Sequence, residues 1–424
     1  MARSFTPRDV HALMNQLVKE ATGQTNINVV DSSTFVSAGE TVLATGTENV
    51  LNALSVVIGR TWMAVRPYEA KLLIINALNT EMYTNRMRKI SYYSREAQAS
   101  GDFNTQLYTN LNDGFNNGSN PDANGVAQST ASMWEQNQPE VLEMNFGGQS
   151  TWEDSTTVYE YQLKIAFRDE ESFGEFVSGI MTEKSNDIES QKEAFNRMTL
   201  LNYIGGLYDV HSAVANGQVI NLTSAFNTKF RTTYTSEQLR TTYLKEFLEF
   251  FVSTFKITSD YLTNRSAKYH WNPPKTDDAG NALVLLRHTP KSKQRFIYYS
   301  PLFTEATAMV LPEIFNDKYL PMPNGEGVTY WQSLNAPSEV NVTPAIPDVT
   351  NVTGKQVAGT AVNLPYVVGV LYDEDALMID YQLESAYSTP IEARKRFRNI
   401  WWSFSRNAIN DFTENAVVFY MADE

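Results

Sequence analysis

From Asp169 onward the chain keeps apolar residues at roughly helical spacing through Phe173, Phe176, Val177, Ile180, Met181, Ile188, Phe195, Met198 and Leu201. Asp169, Glu170 and Glu171 open the run, where the positive end of a helix dipole favours acids, and Gly205-Gly206 is the expected stop. A helix of about 35 residues is on the order of 50 Å long at about 1.5 Å per residue, whereas an average helix has about 11–12 residues. Such a rod spans a domain instead of sitting within one, so the rest of the fold has to be laid along it. Phe173, Val177, Ile180, Ile188 and Phe195 are expected to face a sheet of the same chain. The polar face, with Glu183, Asp187 and Lys192, is expected to meet solvent or a neighbouring chain.

Helices and strands are arranged around this rod. Thr6 as N-cap and Pro7 at the first helical position predict a helix with Val10, Leu13, Met14, Leu17 and Val18 inward, ended by Gly23. Residues 24–45 are polar and β-branched and read as an extended arm. A second helix is expected from Thr47-Glu48, with Val50, Leu51, Leu54, Val57 and Ile58 on one face. Residues 91–150 are dominated by Asn, Gly, Ser, Gln and Asp, a polar excursion longer than compact domains usually carry. Val158–Phe167 reads as a strand. Ser236-Glu237 starts an amphipathic helix with Leu239, Tyr243, Leu244, Phe247, Leu248 and Phe251 inward.

Residues 271–292 read as a loop, Arg295–Ser300 as a strand, and Pro301 through Ala306, Met309, Val310 and Ile314 as a helix. A Pro, Gly, Asn, Val and Thr-rich stretch at 321–365 reads as loop with short strands. Tyr366–Leu371 is expected as a buried strand, followed by the turn Asp373-Glu374-Asp375, a strand over Leu377–Tyr387 and a last one over Ala416–Met421. Between them, 390–404 fits either a helix, with Phe397, Ile400, Trp401 and Phe404 in a stripe, or a strand, with Arg394, Arg396 and Arg398 on one face.

Composition removes several classes of function. With 424 residues and 42% hydrophobic content, the chain can bury more than one core. A net charge of −14 argues against tight phosphate binding over the whole surface. There is no cysteine, no run of about 18 apolar residues, and no apolar leader in Met1–Glu20. The four histidines, His11, His211, His270 and His288, are scattered and lie near no metal-ligand spacing. Asp373-Glu374-Asp375 is the densest acidic cluster and reads as a solvated turn; Arg394, Lys395, Arg396 and Arg398 read as a charged face that pairs with acids of the same or a neighbouring subunit. The aromatics around Trp401-Trp402 read as core.

Three stretches resemble a known family. They are Glu40-Thr41-Val42-Leu43 through Asn49-Val50-Leu51 to Val57-Ile58-Gly59-Arg60, then Glu171-Ser172-Phe173-Gly174-Glu175-Phe176-Val177, and last Gly369-Val370-Leu371-Tyr372-Asp373-Glu374-Asp375-Ala376-Leu377-Met378 with Tyr387 to Trp402 and Asn415-Ala416-Val417-Val418-Phe419. The chain resembles the tailed-bacteriophage major capsid proteins of the Hong Kong ninety-seven fold, and among them those of small podoviruses of the phi-twenty-nine type. Order and spacing match over most of the chain, though no motif is short and diagnostic.

The resemblance implies an α+β fold with an N-terminal arm, an E-loop, a long spine helix, a P-domain and an A-domain. It divides the chain into an arm with the first helices (1–64), an extended E-loop region (65–168), the spine helix and start of the P-domain (169–235), a P-domain helix (236–270), an A-domain (271–376) and closing P-domain strands (377–424). It makes 390–404 a strand. It implies a head protein without catalytic activity, cofactor or metal. Copies would assemble in the host bacterial cytoplasm into pentamers and hexamers, and so into the icosahedral or prolate shell of the virion around double-stranded DNA. The implied partners are other copies, a scaffolding protein, a portal, decoration or head-fibre proteins, and packaged DNA by weak inner-face contact; no membrane is implied. Contacts between subunits are expected at Glu183, Asp187, Lys192, Arg394, Arg396 and Arg398. Two other readings compete, a cellular nanocompartment shell of the same fold and a carbohydrate-active enzyme; a tail or portal component fits the sheet-rich C-terminal half poorly.

Overall fold

A computed structural model describes residues 7–23, 28–45, 75–78, 86–94, 140–147, 150–166, 170–275, 283–309, 325–349 and 356–423, with single positions at 49, 53 and 72. Helix α1 (Pro7–Thr22) buries the expected stripe from Val10 to Val18, and Gly23 leaves it at φ +68°, a left-handed turn that suits a residue without Cβ. Residues 24–45 are not an extended arm throughout, because they contain helix α2 (Ser32–Ala44). The start signal is Asp31. Its carboxylate accepts the Thr34 N–H at 2.8 Å, and Thr34 Oγ1 accepts the Asp31 N–H at 3.0 Å. This reciprocal box satisfies amides that a helix start leaves open, and Phe35, Ala38 and Val42 then share a buried face. Of the helix expected from Thr47-Glu48, only positions 49 and 53 are described, both helical.

Strands β1 (Asn76–Leu78), β2 (Arg86–Tyr92), β3 (Val141–Gly147) and β4 (Ser150–Tyr159) follow. β2 and β3 pair antiparallel as a two-stranded ribbon from Arg86↔Gly147 to Tyr92↔Val141. The part of the polar excursion at 95–139 lies outside the described residues. The strand expected over Val158–Phe167 stops at Tyr159, and helix α3 (Glu160–Ala166) takes its place. The Tyr159 N–H donates to Gln162 Oε1 at 3.4 Å across the change, and Tyr161 and Ile165, four residues apart, share an exposed helical face.

The spine, α4 (Glu170–Val214), has 45 residues and runs through the glycine pair expected to end it. An interior helical glycine costs about 1 kcal/mol relative to alanine. Here each is accommodated because another segment packs where a side chain would be. A Cβ on Gly205 would lie 2.5 Å from Val342, and one on Gly206 would collide with the Phe412 ring. Beyond them Leu207 and Val210 are fully buried, so packing extends the helix past its local stop signal.

The spine joins two cores. In the smaller, Phe173, Val177 and Ile188 meet α1, α2 and the inner face of a sheet carrying Ile400, Trp402 and Phe404. In the larger, Phe195, Leu200, Tyr203, Ile204, Leu207 and Val210 pack on the remaining helices and a second sheet.

After β5 (Val219–Asn221) come α5 (Leu222–Phe230), α6 (Ser236–Thr241) and α7 (Leu244–Thr263). The single helix expected from Ser236 through Phe251 is therefore two. Tyr243 breaks it at φ −111°, ψ 30°, with its ring stacked on Tyr234 at 4.1 Å. Strand β6 (Gln294–Tyr299) and helix α8 (Ser300–Met309) fall where expected, and the continuation through Val310 and Ile314 lies outside the described residues. The stretch 321–365 holds the short strands β7 (Gly325–Val328), β8 (Val340–Val342), β9 (Ala345–Pro347), β10 (Gln356–Ala358) and β11 (Val362–Leu364). The chain closes with β12 (Val367–Asp373), β13 (Leu377–Ser388), β14 (Phe397–Asn410) and β15 (Ala416–Tyr420).

Among the described residues, the first sheet has the order β1-β13-β14-β4 and the second β5-β15-β12-β6-β7. β12 is central and buried at every position. The closing segment thus divides, because β13 and β14 build one sheet and β15 enters the other between β5 and β12.

Candidate assembly surfaces

The acidic cluster is built into the fold. Asp373 is buried, accepts the Thr289 hydroxyl at 2.7 Å and the Asp375 N–H at 3.0 Å, and burial pushes its carboxyl above the ordinary value. Glu374 pairs with Arg295 at 2.6 Å and with Lys293 at 3.3 Å. Among the described residues no three or more His, Cys, Asp or Glu side chains are grouped to hold a metal.

The basic run is split by strand geometry. β13 and β14 form a long antiparallel hairpin from Leu377↔Asn410 to Ser388↔Ile400. Its turn carries Arg394, Lys395 and Arg396, all exposed, with Arg396 in the left-handed region at φ +51°. The Lys395 N–H donates to Glu392 at 2.5 Å, and Arg396 lies 3.8 Å from Glu160. From Phe397 onward side chains alternate between faces. Arg398 therefore falls on the inner face with Ile400, Trp402 and Phe404, opposite the buried Val158, and is 3% exposed. The expectation that Arg398 reaches another subunit is corrected, since its own subunit covers it. The strand reading of 390–404 holds from Phe397; the residues before it are turn.

The same alternation separates the tryptophans. Trp402 is core at 1% exposure, whereas Trp401 is 39% exposed and lies directly across from Tyr387, 70% exposed. The outer face of this sheet thus carries two large aromatics and its hairpin turn three cations, an amphipathic composition suited to an interface. The period-2 pattern was the available signal for it.

On the spine, Asp187 is half exposed and 3.5 Å from Lys184, which also pairs with Asp154 at 3.0 Å. The side chain of Glu183 lies outside the described ones. Lys192 differs from its expected exposure. Its side chain is 14% exposed, pairs with Glu189 at 3.1 Å and sits over the Tyr381 ring, so its charge is answered within the subunit.

The subunit is thus two cores strung on a 45-residue helix, with an exposed cationic hairpin tip. The capsid structure of Staphylococcus phage Andhra is similar with a TM-score of 0.50 and 10% identity, covering 84% of this chain and 85% of that chain. The structure of head fiber and inner core protein gp22 of native bacteriophage P68 scores 0.47 at 10% identity over 83% and 84%, and a Mycobacterium phage Adephagia structure scores 0.41 at 9% identity over 85% and 92%. The Andhra likeness carries the fold, which is the Hong Kong ninety-seven-like α+β fold of phage capsid proteins. No curated protein matches the chain. The model of the family described as Phi29-like phage major capsid protein matches residues 88–420. The chain belongs to that family and is a component of the virion capsid; nothing in these matches supports a nanocompartment shell or a carbohydrate-active enzyme.

Proposed function

We propose that copies of this chain close into pentamers and hexamers and so into an icosahedral or prolate shell around double-stranded DNA, with no catalytic step of their own. The observation that carries the reading is the hairpin tip, where Arg394, Lys395 and Arg396 stand exposed on a chain of net charge −14. An exposed positive tip on an acidic protein finds its complement on another copy, and such complementarity sets orientation and partner choice. Asp187 on the spine is the matching candidate acid. Scaffolding, portal and head-fibre proteins remain partners implied by the family likeness. In this reading 65–168 is the E-loop region, 271–376 the A-domain and 377–424 the closing P-domain strands, of which β15 pairs between β5 and β12.

The test is electron microscopy of the purified chain with and without the proteins encoded beside it. Arg394→Glu/Arg396→Glu is expected to keep the circular dichroism of the wild type and lower shell yield at least about tenfold, one lost rim contact being repeated at every copy. Normal shells from that variant would remove the hairpin tip from the assembly contacts.

A further inference from the structure

The ribbon β2–β3 sorts its side chains by alternation. Arg88, Ile90 and Tyr92 are exposed, whereas Lys89, Ser91 and Tyr93 turn towards the body. Ser91, Tyr93, Leu142 and Met144 surround Lys89 on that inward face, and none of them is charged. The Lys89 ammonium contacts Asp411 and, at 2.5 Å, Glu414. Both acids lie in the turn between β14 and β15, where the two sheets meet. Phe412 of the same turn stacks on Tyr203 of the spine at 5.4 Å. Arg287 completes the set, 3.4 Å from Glu414 and donating to Ser91 Oγ at 2.7 Å and to the Thr413 carbonyl at 3.1 Å. Two cations and two anions are thus balanced in a site where the Asp411 side chain is 0% exposed. Burial alone would lower the Lys89 pKa, but the two carboxylates outweigh it and hold the ammonium above its ordinary value.

Besides Lys89 itself and Arg287 on Ser91, the ribbon is held by neutral or partly exposed contacts, among them Tyr93 on the Pro273 carbonyl, Arg265 on Ser94 and Thr413 on Met144. Tyr93 and Leu142 pack on Leu283 and Leu285 in a small cluster, the Ser94 N–H donates to the Val284 carbonyl at 3.0 Å, and the partly exposed Lys275–Glu140 pair spans 2.6 Å. An exposed pair contributes little, whereas a buried one leaves an uncompensated charge when a single partner is removed.

We propose that Lys89 is a latch. Its contact with Asp411 and Glu414 fixes the ribbon, and with it the direction in which the chain departs at Ser94 and returns at Glu140, to the joint of spine and sheets. Without the latch the ribbon undocks as a unit while the body stays folded. The device is independent of which neighbour the arm meets, so its failure would leave the shell-building reading untouched.

Hydrogen exchange on the full-length, unassembled chain tests it. Lys89→Met keeps the stem and removes the charge. The amides of 86–94 and 140–147 are then expected to exchange at least about tenfold faster, with β12 and Tyr203–Val210 unchanged. Arg88→Met, on the outer face, is expected to change nothing. Should Lys89→Met fail to fold, Lys89→Met/Asp411→Asn leaves Arg287 paired with Glu414 and is expected to show the same ribbon-only acceleration. Wild-type ribbon exchange in a variant that folds, acceleration spread equally to β12, or failure of both variants to fold would overturn the latch.

Discussion

His270 is 1% exposed, with Nε2 2.7 Å from the Leu285 carbonyl oxygen and Nδ1 3.2 Å from Asn415 Oδ1. Burial, aided by the nearby Arg287, lowers its pKa from 6.5 to about 4, so the fold holds a neutral imidazole. The unfolded chain takes up the proton near pH 6.5 and the folded chain not until about 4. The stabilisation is therefore complete above pH 6.5 and is lost as pH falls through that window, by about 3 kcal/mol in all. His270→Gln is expected to show a correspondingly shallower loss in urea unfolding over the same range. The tryptophan pair gives a second residue-scale prediction. Trp402→Ala empties a core position and is expected to cost about 3–5 kcal/mol, whereas Trp401→Ala, on the outer face, is expected to stay within about 1 kcal/mol by the same measurement. Both tryptophans read as core from composition alone; assigning the strand from Phe397 separates them.

At the scale of elements, the spine shows what local signals decide and where they stop. Acids at its start and the stripe from Phe173 to Phe195 were enough to place it, because side-chain periodicity is a local property. Its end was not legible, because Gly205 and Gly206 are disfavoured in a helix until Val342 and Phe412 occupy the space beside them. Ile188 is buried where the spine meets α1 and α2. Ile188→Pro removes a backbone hydrogen bond and clashes one turn back, so a loss of about 3 kcal/mol or more is expected, read as lost helical circular dichroism and no shells. The helix α2 was missed for the opposite reason, as its Asp31–Thr34 box is a local signal obscured by a polar, β-branched surround.

On the scale of the whole molecule, the spine contributes buried residues to both cores, and in the proposed assembly the exposed charges of the hairpin tip find their complement on a copy. Rim charges are screened over about 8–10 Å at physiological salt. Wild-type shell yield is therefore expected to fall with rising salt in particle counts by electron microscopy, and the Arg394→Glu/Arg396→Glu variant is expected to lose most of that dependence. Periodicity, caps and composition by themselves determined the long helix, α1, the buried β12, the strand-rich closing segment and the absence of cysteine chemistry. The resemblance in three stretches was enough for the family. Only the tertiary structure decided that Arg398 is buried and Lys192 paired inside the subunit while Arg394 and Arg396 stand exposed at the hairpin tip, that β15 leaves β14 for the other sheet, and that Lys89 meets acids more than 300 positions away in sequence. Those outcomes depend on which distant segment arrives beside a side chain, and burial and charge pairing are properties of that encounter, not of the residues on either side in the chain.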